Sequence, residues 1–200
     1  MKTGRPVETD VAKKLRTGGQ IEMWPSTLGG KNWPHAAFNP QTGLLYANTI
    51  HEGRLYRHLT IEEWKAGQRF VFVENFKMPP NGEPVGHVDA IEPLTGKQRW
   101  RVPLNDLQNW SAMLATGSGL LFTGRENGEF IALDADDGKT LWQFQTGSGI
   151  NAMPVTYTHQ GRQYVTVLSG VGGLYWNMAK ELLKDVAPGG SVWTFALLPN

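Results

Sequence analysis

The hydrophobic pattern of this chain has the two-residue period of β-strands, in short runs cut by turn residues. The clearest run is Gly119-Leu120-Leu121-Phe122-Thr123-Gly124, then the turn Glu126-Asn127-Gly128, then Glu129-Phe130-Ile131-Ala132-Leu133-Asp134. Asn-Gly between apolar runs predicts a hairpin, because both residues tolerate positive φ. A strand over 140–145 follows Asp136-Asp137-Gly138-Lys139, and a fourth over 153–157 completes one predicted blade. Residues 156–159 and 163–168, flanking Gln160-Gly161-Arg162, predict another hairpin rich in β-branched and aromatic residues. Upstream, residues 37–49 repeat the strand, turn, strand theme, while 50–86 read as an irregular excursion. Within it Thr60-Ile61-Glu62-Glu63 fits a capping box or a loop equally well, since Gly67 follows closely. Asn177 is expected to cap a short helix over 178–186, with Met178, Leu182 and Val186 on one face and Pro188-Gly189-Gly190 ending it. A terminal strand within 191–198 is expected to complete the first blade of a propeller.

Two segments are near copies. Ala90-Ile91-Glu92-Pro93-Leu94-Thr95-Gly96-Lys97-Gln98-Arg99-Trp100 recurs 42 residues later as Ala132-Leu133-Asp134-Ala135-Asp136-Asp137-Gly138-Lys139-Thr140-Leu141-Trp142. A period near forty, with strand, acidic Gly-Lys turn and strand ending in Trp, is the spacing of a four-stranded propeller blade. Trp100 and Trp142 are read as packing residues that define the repeat. The fold class is therefore all-β, built of β-propeller blades.

Composition agrees: 24 Gly, 12 Pro and eight Trp in 200 residues describe a turn-rich chain with large aromatic inserts. The formal net charge is +1 and no long basic run occurs, so nothing suggests nucleic acid as a partner. There are no cysteines, which excludes disulfides, thiolate metal sites and cysteine nucleophiles. The first residues lack the apolar core of a signal peptide and no apolar run is long enough for a membrane span, so a soluble chain is expected.

Several suggestive patterns fail on chemistry. A calcium loop opening at Asp134 would end at Gln145 where a bidentate Glu is required, so Asp134, Asp136 and Asp137 read as a polar turn. His51-Glu52-Gly53-Arg54-Leu55 begins like a zinc-protease helix, but Leu55 stands at the second His position. None of the five histidines pairs at ligand spacing. The two Thr-Gly-Ser-Gly segments at 116–119 and 146–149 lack a phosphate-loop Lys and read as blade turns.

Other motifs carry a resemblance. Gly29-Gly30-Lys31-Asn32-Trp33-Pro34, Phe38-Asn39-Pro40-Gln41-Thr42-Gly43, Asn109-Trp110-Ser111 with Leu114-Ala115-Thr116, Ala132-Leu133-Asp134-Ala135, Thr146-Gly147-Ser148-Gly149-Ile150, Pro154-Val155-Thr156-Tyr157 and Gln163-Tyr164-Val165 occur in this order. Together they resemble the C-terminal portion of the pyrroloquinoline quinone (PQQ)-dependent methanol/ethanol dehydrogenases, the quinoprotein alcohol dehydrogenase family. The resemblance implies one partial domain over 1–200, about three blades of an eight-bladed quinoprotein propeller. It implies PQQ as cofactor beside a Ca²⁺ or lanthanide ion, a primary alcohol as substrate, cytochrome c as electron acceptor and a periplasmic location. Residue by residue, Asn32, Trp33 and Trp110 match positions that contact the quinone. Such a tricyclic tricarboxylate suits an aromatic wall and amide donors. Leu174, after Gly170-Val171-Gly172-Gly173, stands where methanol dehydrogenases tend to carry Trp, as in ethanol-type members. The family's catalytic Asp, metal-binding Glu and Asn, and adjacent-cysteine disulfide have no counterpart in these motifs. The expectation is a fragment or subunit, inactive alone, that pairs with the missing blades or with itself. The alternative is a non-catalytic PQQ-like-repeat scaffold that binds a protein partner.

Overall fold

The computed structural model describes residues 4–58, 65–67, 73–172 and 182–197, with the side chains of 73–76 left aside. Within these residues the chain forms four antiparallel sheets, one short α-helix and one 3-10 turn (Pro80–Gly82). The helix α1 (Asp10–Arg16) is capped by Thr9, whose Oγ1 accepts the Ala12 N–H at 3.2 Å. The first full blade has the order β2 (Ala37–Asn39), β3 (Leu44–Ile50), β6 (Gly86–Ile91), β7 (Gln98–Leu104). The second runs β8 (Leu114–Ala115), β9 (Leu120–Gly124), β10 (Glu129–Asp134), β11 (Thr140–Gln145). A third sheet contains β12 (Val155–His159), β13 (Arg162–Ser169) and β14 (Ser191–Ala196). The excursion between β3 and β6 is not structureless: its strands β4 (Gly53–Arg57) and β5 (Val73–Lys77) join β1 (Gln20–Met23) in a small sheet. No helix among the described residues is long and apolar enough to cross a membrane.

The repeated segment is repeated in space. Ala90 pairs with Trp100 and Ala132 with Trp142, and the register slips at the next residue in both copies. Each turn closes with the same bonds: Gly96 N–H to Glu92 O at 2.8 Å and Gly138 N–H to Asp134 O at 2.9 Å. Both glycines hold positive φ, 71° and 77°.

The main core lies between the first and second blades. Leu44, Tyr46, Val88 and Ala90 face Met113, Leu121, Ile131, Leu133 and Ala135, the Val, Leu, Ile and Met side chains contributing roughly 1.5–3 kcal/mol each on burial. One carbonyl fastens the rim: Ala135 O accepts both the Tyr46 hydroxyl and the Trp100 indole N–H, each at 3.0 Å. Burial raises the Tyr46 pKa, which keeps that hydroxyl a donor. Phe130, Ile150, Val165 and Val167 form a second core between the second and third sheets.

Three expectations change. The strand at 153–157 does not close the second blade; it begins later, as β12, and pairs with β13. The missing fourth strand is β8, only two residues long and so invisible to periodicity. The terminal strand does not return to the first blade but pairs with β13 from Ser191↔Ser169 to Ala196↔Tyr164. That pairing turns Trp193 and Phe195 onto the second core. Trp142 is more open than the partly buried Trp100: it is 38% exposed and rests edge-on against Phe195 at 5.0 Å. The third sheet offers it no Gly-Lys turn to dock on. Of the expected helix over 178–186, the part before Leu182 lies outside the described residues; Leu183 is buried against Leu107 and Val186. The capping box at 60–63 and Leu174 lie outside them too.

Candidate functional site

Asn32-Trp33 and Asn109-Trp110 prove to be one motif used twice. Each Asn lies five residues before the first strand of its blade, so both pairs sit on leading loops at the same end of neighbouring sheets. The Met113 N–H donates to His35 O at 3.0 Å and joins the two loops. Trp33 and Trp110 thereby meet, ring centroids 6.4 Å apart and planes inclined by 33°. Trp110 is buried, 4% exposed, whereas Trp33 is 56% exposed. An exposed indole backed by a buried one is a ready platform for a planar guest.

Both asparagines shape their own loops. Asn32 Oδ1 accepts the Trp33 N–H at 2.8 Å, and its Nδ2 donates to Leu28 O at 2.7 Å. Asn109 does the same with the Ser111 N–H at 2.9 Å and Thr123 Oγ1 at 3.0 Å. Each carboxamide keeps one lone pair and one N–H beyond these bonds. Asn48, buried in β3, donates to Asn109 O, while its own Oδ1 is without a partner. Ser111 Oγ donates to Ala152 O at 2.7 Å and accepts the Gly124 N–H at 3.0 Å, tying this loop to the one that leads into β12.

Lys31 is a site residue that sequence reasoning passed over. Its Nζ donates to Asn32 O at 2.9 Å and to Pro34 O, so the ammonium is folded back over the Asn32-Trp33 turn. Burial lowers its pKa. The signal was present in Gly30-Lys31-Asn32-Trp33, but the lysine's wrap over the turn is a tertiary fact.

Other polar groups belong elsewhere. On the face of the first blade turned away from the second, Asp89 takes a bidentate grip from Arg101, Nε to Oδ1 at 2.6 Å and Nη2 to Oδ2 at 3.0 Å, plus the Thr49 hydroxyl at 2.9 Å. That pairing raises the Arg101 pKa. The Asp134–Asp137 segment is the polar turn expected of it: Asp134 Oδ1 accepts the Asp136 N–H and Asp137 Oδ1 the Lys139 N–H, both at 2.8 Å. Among the described residues no group of three or more His, Asp or Glu converges as a metal ion would require. The fit to a quinone therefore rests on Trp33, Trp110, Asn32 and Lys31: an aromatic wall, amide capacity and one cation suited to a carboxylate.

Comparison with known proteins identifies the family. Residues 14–165 match the family model of the glucose/ethanol/alcohol dehydrogenase β-propeller domain, PQQ. The chain is 38% identical to a quinoprotein ethanol dehydrogenase of Pseudomonas putida over 98% of its own length and 33% of that protein. It is 36% identical to the 1-butanol dehydrogenase (quinone) of Thauera butanivorans, covering 98% of this chain and 32% of the relative. Among solved structures, a europium-containing methanol dehydrogenase superposes with a TM-score of 0.79 at 31% identity, over 88% of this chain and 35% of that one. The quinohemoprotein alcohol dehydrogenase of Comamonas testosteroni gives 0.72 at 29% identity, over 98% and 30%. The chain thus spans about a third of the length of the relatives it matches. It belongs to the PQQ family of glucose/ethanol/alcohol dehydrogenase β-propeller domains.

Proposed function

We propose that this chain is one partial propeller domain of a PQQ-dependent alcohol dehydrogenase, supplying a wall of the cofactor site for oxidation of a primary alcohol to an aldehyde. The observation that carries the reading is the Trp33–Trp110 pair, one ring open and the other buried behind it. In such an enzyme bound PQQ, beside Ca²⁺ or a lanthanide, supplies the hydride-accepting quinone. Trp33, backed by Trp110, walls the ring system, Asn32 presents its remaining N–H and lone pair, and Lys31 offers positive charge to a carboxylate. The catalytic Asp and metal ligands would come from polypeptide outside these residues, electrons would pass to a cytochrome c, and the location would be periplasmic.

Titration with PQQ tests the site directly. Saturable quenching of tryptophan fluorescence, weakened in Asn32→Ala and Trp110→Ala, supports the reading. Absence of binding, with the chain alone or assembled with the complementary blades, would overturn it. One observation favours the competing scaffold reading: the Asn32 carboxamide already bonds its own loop at both ends. A scaffold would show no PQQ binding in any state.

A further inference from the structure

We infer that Glu52, Gln108 and Arg54 are positioning residues that set the orientation of the Trp110 indole, through a buried and directional hydrogen-bond chain. Its role at a cofactor rests on the reading of Trp110 given above; its role in placing the ring does not.

The chain begins at Arg54 in β4, whose Nε donates to Glu52 Oε1 at 2.7 Å with both side chains only 3% exposed. The other carboxylate oxygen of Glu52 accepts Gln108 Nε2 at 2.7 Å, across 56 residues of sequence. Gln108 Oε1 then accepts the Trp110 indole N–H at 3.2 Å. Polarity propagates along these bonds. An ionised carboxylate only accepts, so it turns the Gln108 amide nitrogen toward itself and the amide oxygen toward Trp110, whose indole only donates. The carboxylate thus fixes an amide orientation that would otherwise be free to flip.

The same residue braces the neighbouring loop. Glu52 O accepts the Ser26 N–H at 2.8 Å, Ser26 O accepts the Gly29 N–H at 2.9 Å, and Leu28 O in that turn holds Asn32 Nδ2. One buried residue in the excursion therefore reaches both halves of the Trp33–Trp110 pair. A purely packing role would need no charge here, since a buried ion pair adds little net stability over an apolar substitute of similar volume. Directional placement of a donor ring does use an acceptor-only group at the head of the chain.

A polarity swap tests this. In the double variant Glu52→Gln/Gln108→Glu, the new carboxylate accepts both the indole N–H and the amide of residue 52, while that amide's oxygen accepts Arg54. The single Gln108→Glu opposes two carboxylates, and Gln108→Leu deletes the link. The readout is the circular-dichroism couplet of the Trp33–Trp110 pair, taken as the difference from Trp33→Phe, with thermal unfolding as a control on folding. The expected result is a couplet lost in Gln108→Leu and Gln108→Glu and regained in the swap. PQQ dissociation constants should rise roughly tenfold in the singles and return toward the parent value in the swap. An unchanged couplet in folded Gln108→Leu, or a swap that folds without regaining it, would overturn the inference. A couplet that follows the pattern while no variant or parent binds PQQ upholds the positioning role and overturns the cofactor reading.

Discussion

At the scale of single residues, the site consists of side chains whose roles depend on which atoms remain free. Trp33 keeps its ring open because Asn32 and Lys31 hold the turn beneath it through backbone carbonyls and an amide N–H. Asn32, Trp33 and Trp110 were readable as candidates from their motifs, but Lys31 and Gln108 were not, because a lysine or glutamine acquires a partner only when distant segments meet. His87 makes a residue-scale prediction about pH. Burial first, then the Arg101 charge, lower its pKa below the usual histidine value, and Asp89 only partly opposes them. The unfolded chain therefore binds this proton more readily than the folded one, so stability is fully present above about pH 6.5 and falls as pH drops from there toward the folded pKa. In His87→Gln the unfolding midpoint should decline less between pH 6.5 and 5 than in the parent. Parallel pH profiles of parent and variant would refute this assignment.

Among the elements, the repeated strand, turn, strand unit shows what sequence periodicity can and cannot convey. Its register, its bulge and its closing bonds match in both copies, because spacing and turn chemistry determine them locally. What the tryptophan at its end meets is not local. Trp100 finds the Ala135 carbonyl and Gly138 of the next blade, where a Cβ on Gly138 would lie 2.7 Å from the indole. Gly138 is thus required both for its positive φ and for its missing side chain. Gly138→Ala should cost about 2–4 kcal/mol from strain plus overpacking, measured by denaturant unfolding. Gly96→Ala, with the same turn but nothing within 4 Å of its added carbon, should cost only the backbone share, about 1–2 kcal/mol. Equal losses at the two sites would show that docking of Trp100 contributes nothing.

For the whole molecule, the two outer blade faces differ in kind. The first blade turns Thr49, His87 and Arg101 outward from the shared core, a polar and charged surface in which Arg101 covers the buried Asp89 carboxylate. The third sheet exposes Val155, Tyr157, Leu168 and Val192 on one face, between 45% and 67% exposed. Head-to-tail stacking of copies would set apolar against charged groups, so self-association is expected to join two third-sheet faces as a closed dimer. Light scattering should give a dimer that dissociates in Leu168→Lys/Val192→Lys; a monodisperse monomer for the parent would refute it. The chain alone, given PQQ, Ca²⁺ or La³⁺, ethanol and an artificial acceptor, is expected to reduce no dye.

From the amino-acid order alone came the all-β class, the 42-residue blade period, the acidic Gly-Lys turns and the Asn-Trp motifs. These depend on alternation, turn stereochemistry and spacing, all of which act within a few residues. Tertiary structure alone decided that β8 opens the second blade, that β14 joins β13, that Trp142 lies half open while Trp100 is docked, and that Glu52 reaches Trp110 through Gln108. Each of these depends on partners dozens of residues apart, and which partner wins is set by apolar burial and hydrogen-bond satisfaction across the assembled sheets.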